Sequence, residues 1–178
     1  MFTWLAKRSQ TKRKARDLYG AVVAQARNPA FYIGFGVADT PVGRYELIAL
    51  HLILALDRLG QSDVVDEVLR RETLETFVTD LDDAMREFGV GDPTVPKRVK
   101  HAAGGVYARD QAYRAALADP GNAALEHVLA ENVYQAQKDM PVQRLAAYVR
   151  SAVTHLKAQS ADTLRSGVIT FPNLEQQS

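Results

Sequence analysis

Few residues in this sequence combine the types and the spacing that catalysis or metal binding requires. The chain contains no cysteine, which excludes thiolate ligands, cysteine nucleophiles and disulfides and fits a reducing compartment. His127 and Glu131 are one helical turn apart, but a metal site needs at least three protein ligands and the sequence indicates no third. Asp80, Asp83 and Glu87 share one predicted helix face, which is more typical of a solvated surface than of paired catalytic carboxylates. The sequence therefore predicts no catalytic residue, no metal and no cofactor.

Three polar residues recur every seven positions on the most apolar predicted helix. Arg44, His51 and Arg58 drift by only about 20° per step at this spacing, so they form one stripe. Buried arginine must be paired, and segment 57–92, with four Arg against eleven Asp and Glu, offers partners. The stripe can be an internal salt-bridge seam or a seam that faces a partner. We expect Arg44 and His51 to contact a partner and Arg58 to form an internal ion pair.

A second group lies on the predicted helix over residues 95–118. One strip of this helix combines small residues with arginines: Arg98, Ala102, Gly105 and Arg109. Lys97, Lys100 and His101 add charge beside Gly104. Two adjacent glycines inside a helix cost roughly 1 kcal/mol each relative to alanine, which indicates close packing. The neighbour can be a helix of the same bundle or a helix of a partner.

The N-terminal segment concentrates positive charge in a chain that is otherwise nearly balanced. The whole chain has 22 basic and 21 acidic residues, which argues against a protein that coats DNA with its surface. Residues 1–28 carry seven Lys and Arg against one Asp. Apolar residues precede the charges, the reverse of a signal peptide, so the segment is either a frayed, solvated helix or a contact for an anionic membrane or a ribosome. The residues assigned to that contact are Phe2, Trp4, Lys7, Arg8, Lys12, Arg13 and Lys14.

The elements that must position these groups are predicted to be helices. Apolar residues recur at helical spacing, and no alternation of useful length predicts a strand. Helices are expected over about 15–26, 44–59, 73–88, 96–118, 122–136 and 142–156. A further short helix is expected from Asp63, with its apolar residues Val64, Val65, Val68 and Leu69 facing the core. Residues 29–43 are predicted to form an ordered loop whose apolar residues Phe31, Tyr32, Ile33 and Phe35 pack onto the core. The predicted fold class is therefore all-α, a single bundle of six or seven helices over residues 1–160. An irregular tail over 161–178 is expected to follow, and its apolar residues Val168, Ile169 and Phe171 can dock onto the bundle.

Several of these segments, in order and with matching gaps over about residues 15–120, resemble the ubiquinol–cytochrome c chaperone family. The matching runs are Leu18-Tyr19-Gly20, Pro29-Ala30-Phe31-Tyr32, Gly43-Arg44-Tyr45-Glu46-Leu47, Met85-Arg86-Glu87-Phe88-Gly89 and Tyr107-Ala108-Arg109. The sequence departs from the family pattern at Ala38, Pro93 and Ala108, which bears on loop geometry. Since the long N-terminal extension of mitochondrial members is missing, the chain is similar to a compact bacterial form.

The resemblance implies an assembly factor rather than an enzyme. Its members assist biogenesis of the cytochrome bc complex, and the eukaryotic members bind newly made cytochrome b. The apolar and basic residues of segment 1–16 lead us to expect a cytoplasmic protein that is peripheral to the inner membrane. The residues assigned to the client are Phe31, Tyr32, Phe35, Arg44, His51, Lys97, Arg98, Lys100, Tyr107 and Arg109. The aromatic residues of loop 29–43 can instead seal the end of the bundle. The alternative function is a small all-α enzyme or binding protein with a haem- or quinone-type site between helices.

Overall fold

The computed structural model describes residues 2–87 and 95–174, without the side chains of residues 2–5, Val95, Arg98 and Ala102. Within these residues the chain forms helices and no strand. The helices are α1 (Phe2–Ala26), α2 (Pro29–Ile33), α3 (Pro41–Leu59), α4 (Glu67–Glu87), α5 (Val95–Ala118), α6 (Ala123–Asn132), α7 (Val142–Ala158) and α8 (Ala161–Arg165). The all-α prediction is confirmed, with α2 and α8 as short helices of five residues each.

Local capping sets the start of the two helices that follow α1. The Asn28 side chain accepts a hydrogen bond from the Ala30 amide, and Thr40 Oγ1 accepts one from the Gly43 amide. A proline occupies the first turn in both helices, where its missing N–H costs nothing. At Gly43 an added Cβ would collide with the Ala38 carbonyl oxygen, so the first turn of α3 requires glycine at this position.

Helix α3 is the centre of the bundle, as its sequence predicts. It packs against α1, α4, α5 and α7. Its buried residues include a nearly continuous apolar run, Ala49, Leu50, Leu52, Ile53, Leu54, Ala55 and Leu56. Groups on α3 are therefore positioned by neighbours on every side, and its few polar residues must find internal partners unless they lie at its ends.

The chain between α3 and α4 differs from the sequence prediction. Residues 61–66 form turns, and α4 then runs without a break from Glu67 to Glu87. The Asp66 carboxylate accepts a hydrogen bond from the Leu69 amide, so this aspartate caps the start of α4. Val65 and Val68 are exposed, and only Val64 and Leu69 point into the core. The expected short helix from Asp63 and the separate helix over 73–88 were therefore wrong.

Residues 161–174, the described part of the predicted irregular tail 161–178, pack onto the bundle. Residues 161–165 form α8, and Leu164, Ile169 and Leu174 are buried. The Phe171 ring packs edge-on against the His51 ring at a centroid distance of 5.2 Å, whereas Val168 is exposed. The segment therefore covers the side of α3 that carries His51.

Candidate functional site

The polar stripe on α3 is divided among three environments. Arg44 lies at the exposed start of the helix, where its Nε donates a hydrogen bond to Asp39 Oδ1 at 2.7 Å. That hydrogen bond lowers the pKa of the Asp39 carboxyl. Arg44 remains reachable from solvent, so its predicted contact with a partner stays a prediction.

Arg58, at the other end of α3, forms the internal ion pair that the sequence predicts. Its side chain is buried, and its two terminal nitrogens donate to the Asp63 carboxylate at 2.7 and 2.8 Å. Its Nε donates to the Leu156 carbonyl oxygen at 3.0 Å. The guanidinium thus links α3 to α7 through the Leu156 carbonyl oxygen, and it links α3 to the turn that follows through a bidentate ion pair with Asp63.

His51, in the middle of α3, is fully buried and cannot reach a partner, so its assignment to the client was wrong. Its Nδ1 bonds the Leu47 carbonyl oxygen, and its Nε2 bonds the Tyr148 hydroxyl, both at 2.7 Å. Since a carbonyl only accepts, Nδ1 carries the proton and the Tyr148 hydroxyl donates to Nε2. Gln25 Nε2 in turn donates to Tyr148 Oη at 3.0 Å. Both ring nitrogens are engaged, which leaves none to ligate a haem iron in this arrangement.

Burial of this network determines the protonation state of His51. Desolvation lowers the pKa of His51 to about 4, although the hydrogen bond to Leu47 opposes the shift. Burial likewise raises the pKa of the Tyr148 hydroxyl. The imidazole is therefore neutral at neutral pH, and its function is to connect α3 with α7 and α1.

The aromatic residues after α1 close the end of the bundle. Phe31 and Phe35 are buried, and each packs edge-on against the Tyr148 ring. Their assignment to the client was therefore wrong, because apolar rings at this junction gain more from the core than from solvent. Tyr32 is half-buried and donates a hydrogen bond to the Ala26 carbonyl oxygen. Ile33, which was expected to pack onto the core with these rings, is instead 87 % exposed, so that expectation was wrong.

A buried carboxylate and an arginine join α3 to α5. Glu46 is only 4 % exposed, and Arg109 Nε donates to its Oε2 at 2.8 Å while Nη2 bonds Oε1. The Arg109 guanidinium also lies 5.6 Å from the centroid of the Tyr45 ring. Its charge is therefore neutralised inside the protein, contrary to the expectation that it forms a charged rim around a client. Sequence reasoning missed Glu46, although a glutamate in an apolar helix signals an internal partner.

The two glycines of α5 have different surroundings. At Gly105 an added Cβ would lie 2.9 Å from Nη1 of Arg109, one turn along the same helix, and 3.6 Å from the Tyr45 hydroxyl of α3. At Gly104 an added Cβ would meet no described atom within 4 Å. Gly104 instead lines a shallow surface depression together with Lys97, Lys100 and His101. Close packing against a helix of the same bundle or of a partner, the two explanations that the sequence left open, therefore stays a prediction.

The outer side of α5 carries the remaining predicted client residues. Lys97 and Lys100 are exposed, and Tyr107 is 66 % exposed. The Tyr107 hydroxyl accepts a hydrogen bond from Gln111 on the same helix. Arg98 was assigned to the client as well, and its side chain lies outside the described part of the structure.

Basic residues also cover the N-terminal half of α1. Lys7, Arg8, Lys12 and Arg13 are exposed, and Lys14 is half-buried. Phe2 and Trp4, assigned to the same contact, have side chains outside the described part. None of the helices in residues 2–87 and 95–174 is long and apolar enough to cross a bilayer. In the same residues no cluster of three or more acidic, histidine or cysteine side chains is placed to hold a metal ion.

Comparisons with known proteins agree with this architecture. Residues 34–171 match the family described as ubiquinol-cytochrome C chaperone. The crystal structure of the Cbp3 homologue from Brucella abortus is 35 % identical in sequence, with a TM-score of 0.87 over 99 % of each chain. No curated protein matches the sequence. Since the family match spans most of the chain and the similarity of fold extends over nearly all of it, the chain belongs to the ubiquinol–cytochrome c chaperone family.

Proposed function

We propose that this protein is a non-catalytic chaperone that binds newly made cytochrome b and assists assembly of the respiratory cytochrome bc complex. The observation that carries the proposal is the family match over residues 34–171, since the family's description names ubiquinol–cytochrome c and a chaperone role. The likeness to the Cbp3 homologue supports it.

The client surface that we propose spans α2, the start of α3 and the outer side of α5. The compact chain 34–40 links α2 to α3, and Tyr45 lies against Gly105 and Arg109 of α5. Apolar side chains are exposed on each of the three helices, and basic side chains accompany them. These residues are Ile33, Val42 and Tyr107, with Arg44, Lys97 and Lys100. Exposed apolar groups rimmed by charge are typical of protein-binding surfaces.

The basic half of α1 supports a second proposed contact, with an anionic surface. Lys7, Arg8, Lys12 and Arg13 are exposed on consecutive turns. Each basic residue near an anionic leaflet contributes on the order of 1 kcal/mol, and phosphate groups of ribosomal RNA attract the same charges. The proposed location is therefore cytoplasmic and peripheral to the inner membrane.

Site-specific photo-crosslinking in living cells tests both proposed contacts. A photoreactive amino acid replaces Ile33 or Tyr107 on the client surface, and Gln143 on α7 serves as the exposed control. We expect covalent adducts with cytochrome b from Ile33 and Tyr107 and none from Gln143. Adducts from Gln143 alone, or equal labelling at all three positions, would contradict the client surface. A further crosslinker at Lys12 is expected to label lipid or ribosomal components, and the absence of both would contradict the anionic contact.

A further inference from the structure

The exposed apolar residues of the described surface do not form a strip that suits a membrane-spanning helix. Such a helix has about 20 apolar residues and spans about 30 Å. The large apolar side chains that are exposed are distributed over α2, α3, α4, α5 and two loops: Ile33, Val42, Val65, Val68, Leu74, Tyr107 and Val168. Ile33, Val42 and Tyr107 belong to the proposed client surface but lie on three different helices, and the others are single exposed residues of a kind that is normal on globular proteins. The described surface is therefore poorly suited to shield a whole apolar helix of a client.

One helix face combines exposure with charge of a single sign. At 3.6 residues per turn, five residues of α5 lie within a sector of about 120°. They are Lys97, Lys100, His101, Gly104 and Tyr107, and we call them the basic face. The buried residues Val99 and Val106 lie on the opposite side of the helix. The basic face therefore points away from the rest of the bundle.

The part of α5 that carries the basic face, residues 95–109, contains no acidic residue. The first turn of α5 contains no acidic residue, so the partial positive charge of the helix N-terminus adds to that of Lys97 and Lys100. Asp110, the first acidic residue of α5, is paired with Arg114. Asp82 on the neighbouring α4 is paired with Arg86. A ligand that complements this face must be negatively charged.

Gly104 shapes the middle of the basic face. A glycine inside a helix costs roughly 1 kcal/mol relative to alanine, and at Gly104 no described side chain fills the space of the missing Cβ. Gly104 lines a shallow depression together with Lys97, Lys100 and His101, and Tyr107 follows three residues further along the helix. A peptide backbone can approach α5 closely here while its acidic side chains reach the lysines.

We propose that the basic face binds an acidic, water-exposed segment of the client rather than one of its membrane-spanning helices. This inference rests on the proposed function, because it names which part of cytochrome b is recognised. Charge complementarity favours Asp- and Glu-rich loops or termini, and the exposed Tyr107 ring supplies an apolar contact beside them. The chaperone then holds its client by a segment that stays outside the bilayer.

Synthetic peptides that tile the cytochrome b sequence of the same organism test the proposal. Binding is measured by fluorescence anisotropy with the wild-type protein and with a Lys97→Glu, Lys100→Glu variant. The matched control is Lys138→Glu, Lys157→Glu, which makes the same charge change at exposed positions elsewhere. We expect the tightest peptides to be acidic and extramembrane, with binding reduced at least tenfold in the α5 variant and unchanged in the control. Replacing Asp and Glu of those peptides by Asn and Gln is expected to weaken binding equally.

Different failures of this experiment have different meanings. If apolar membrane-spanning peptides bind tightest and the α5 variant binds them normally, the inference is overturned while the proposed function stands. If wild-type protein dimerises in sedimentation equilibrium and the α5 variant is monomeric, the basic face is an interface between copies, which also overturns it. If no cytochrome b peptide binds and the cellular crosslinks are absent as well, the proposed function itself fails and the inference fails with it. Circular dichroism of each variant confirms that these surface substitutions leave the fold intact.

Discussion

Replacement of Arg109 by alanine is expected to lower the free energy of unfolding by about 3–5 kcal/mol. Glu46 is almost fully buried, and Arg109 supplies its bidentate partner from α5. Removal of the guanidinium leaves a carboxylate without a counter-charge in the core, and desolvation of an unpaired charge is costly. Urea unfolding followed by far-UV circular dichroism measures the loss.

Two comparisons distinguish this effect from the loss of an ordinary surface pair. Arg114, on the same helix, pairs with Asp57 and Asp110 but is exposed, so Arg114→Ala is expected to cost less than about 1 kcal/mol. A Glu46→Leu, Arg109→Met double variant removes both charges, and its stability is expected to recover most of the loss. An Arg109→Ala loss as small as that of Arg114→Ala would contradict the account of this pair.

Acidification is expected to destabilise the protein through His51 before most carboxyl groups titrate. The pKa of His51 falls from its ordinary value of 6.5 to about 4 on folding. The unfolded chain therefore takes up a proton at this position near pH 6.5, whereas the folded protein excludes it until about pH 4. The stability that the neutral imidazole contributes is complete above pH 6.5 and is lost as the pH falls toward 4. The expected total is about 3 kcal/mol, since each pKa unit corresponds to about 1.4 kcal/mol.

Measurements of the urea unfolding midpoint between about pH 7 and about pH 4.5 test this prediction, because most of the expected loss of stability falls within this range. His51→Gln removes the titrating group, so its stability is expected to vary less with pH than that of the wild type. His127→Gln, at an exposed position, serves as the control for a loss of one histidine. Equal pH dependence in wild type and His51→Gln would contradict the role assigned to the buried imidazole.

The sequence predicts the helices and the central position of α3 because these depend on local periodicity. Leu47 to Leu56 is apolar on nearly every side, and such a helix is buried in any bundle. The internal pair of Arg58 is also local, since Asp63 lies only five residues away. The merged α4 was missed because a single cap at Asp66 decides where the helix begins.

The candidate site was harder to predict because its polar partners are distant in sequence. Tyr148, which bonds His51, is 97 residues away, and Arg109 is 63 residues from Glu46. An apolar pattern likewise does not separate rings that close a bundle, such as Phe31 and Phe35, from rings that face a partner. The structure exposes Ile33, which lies between the two buried rings and was expected to pack with them.

The central claim is tested most directly by deleting the gene and measuring cytochrome b in the membranes. The haem b absorbance difference between reduced and oxidised membranes and the ubiquinol–cytochrome c oxidoreductase activity are the two readouts. We predict that both are strongly reduced, and that they are restored by the wild-type gene and by the Lys138→Glu, Lys157→Glu control. Normal cytochrome b content and normal oxidoreductase activity in the deletion strain would contradict the account.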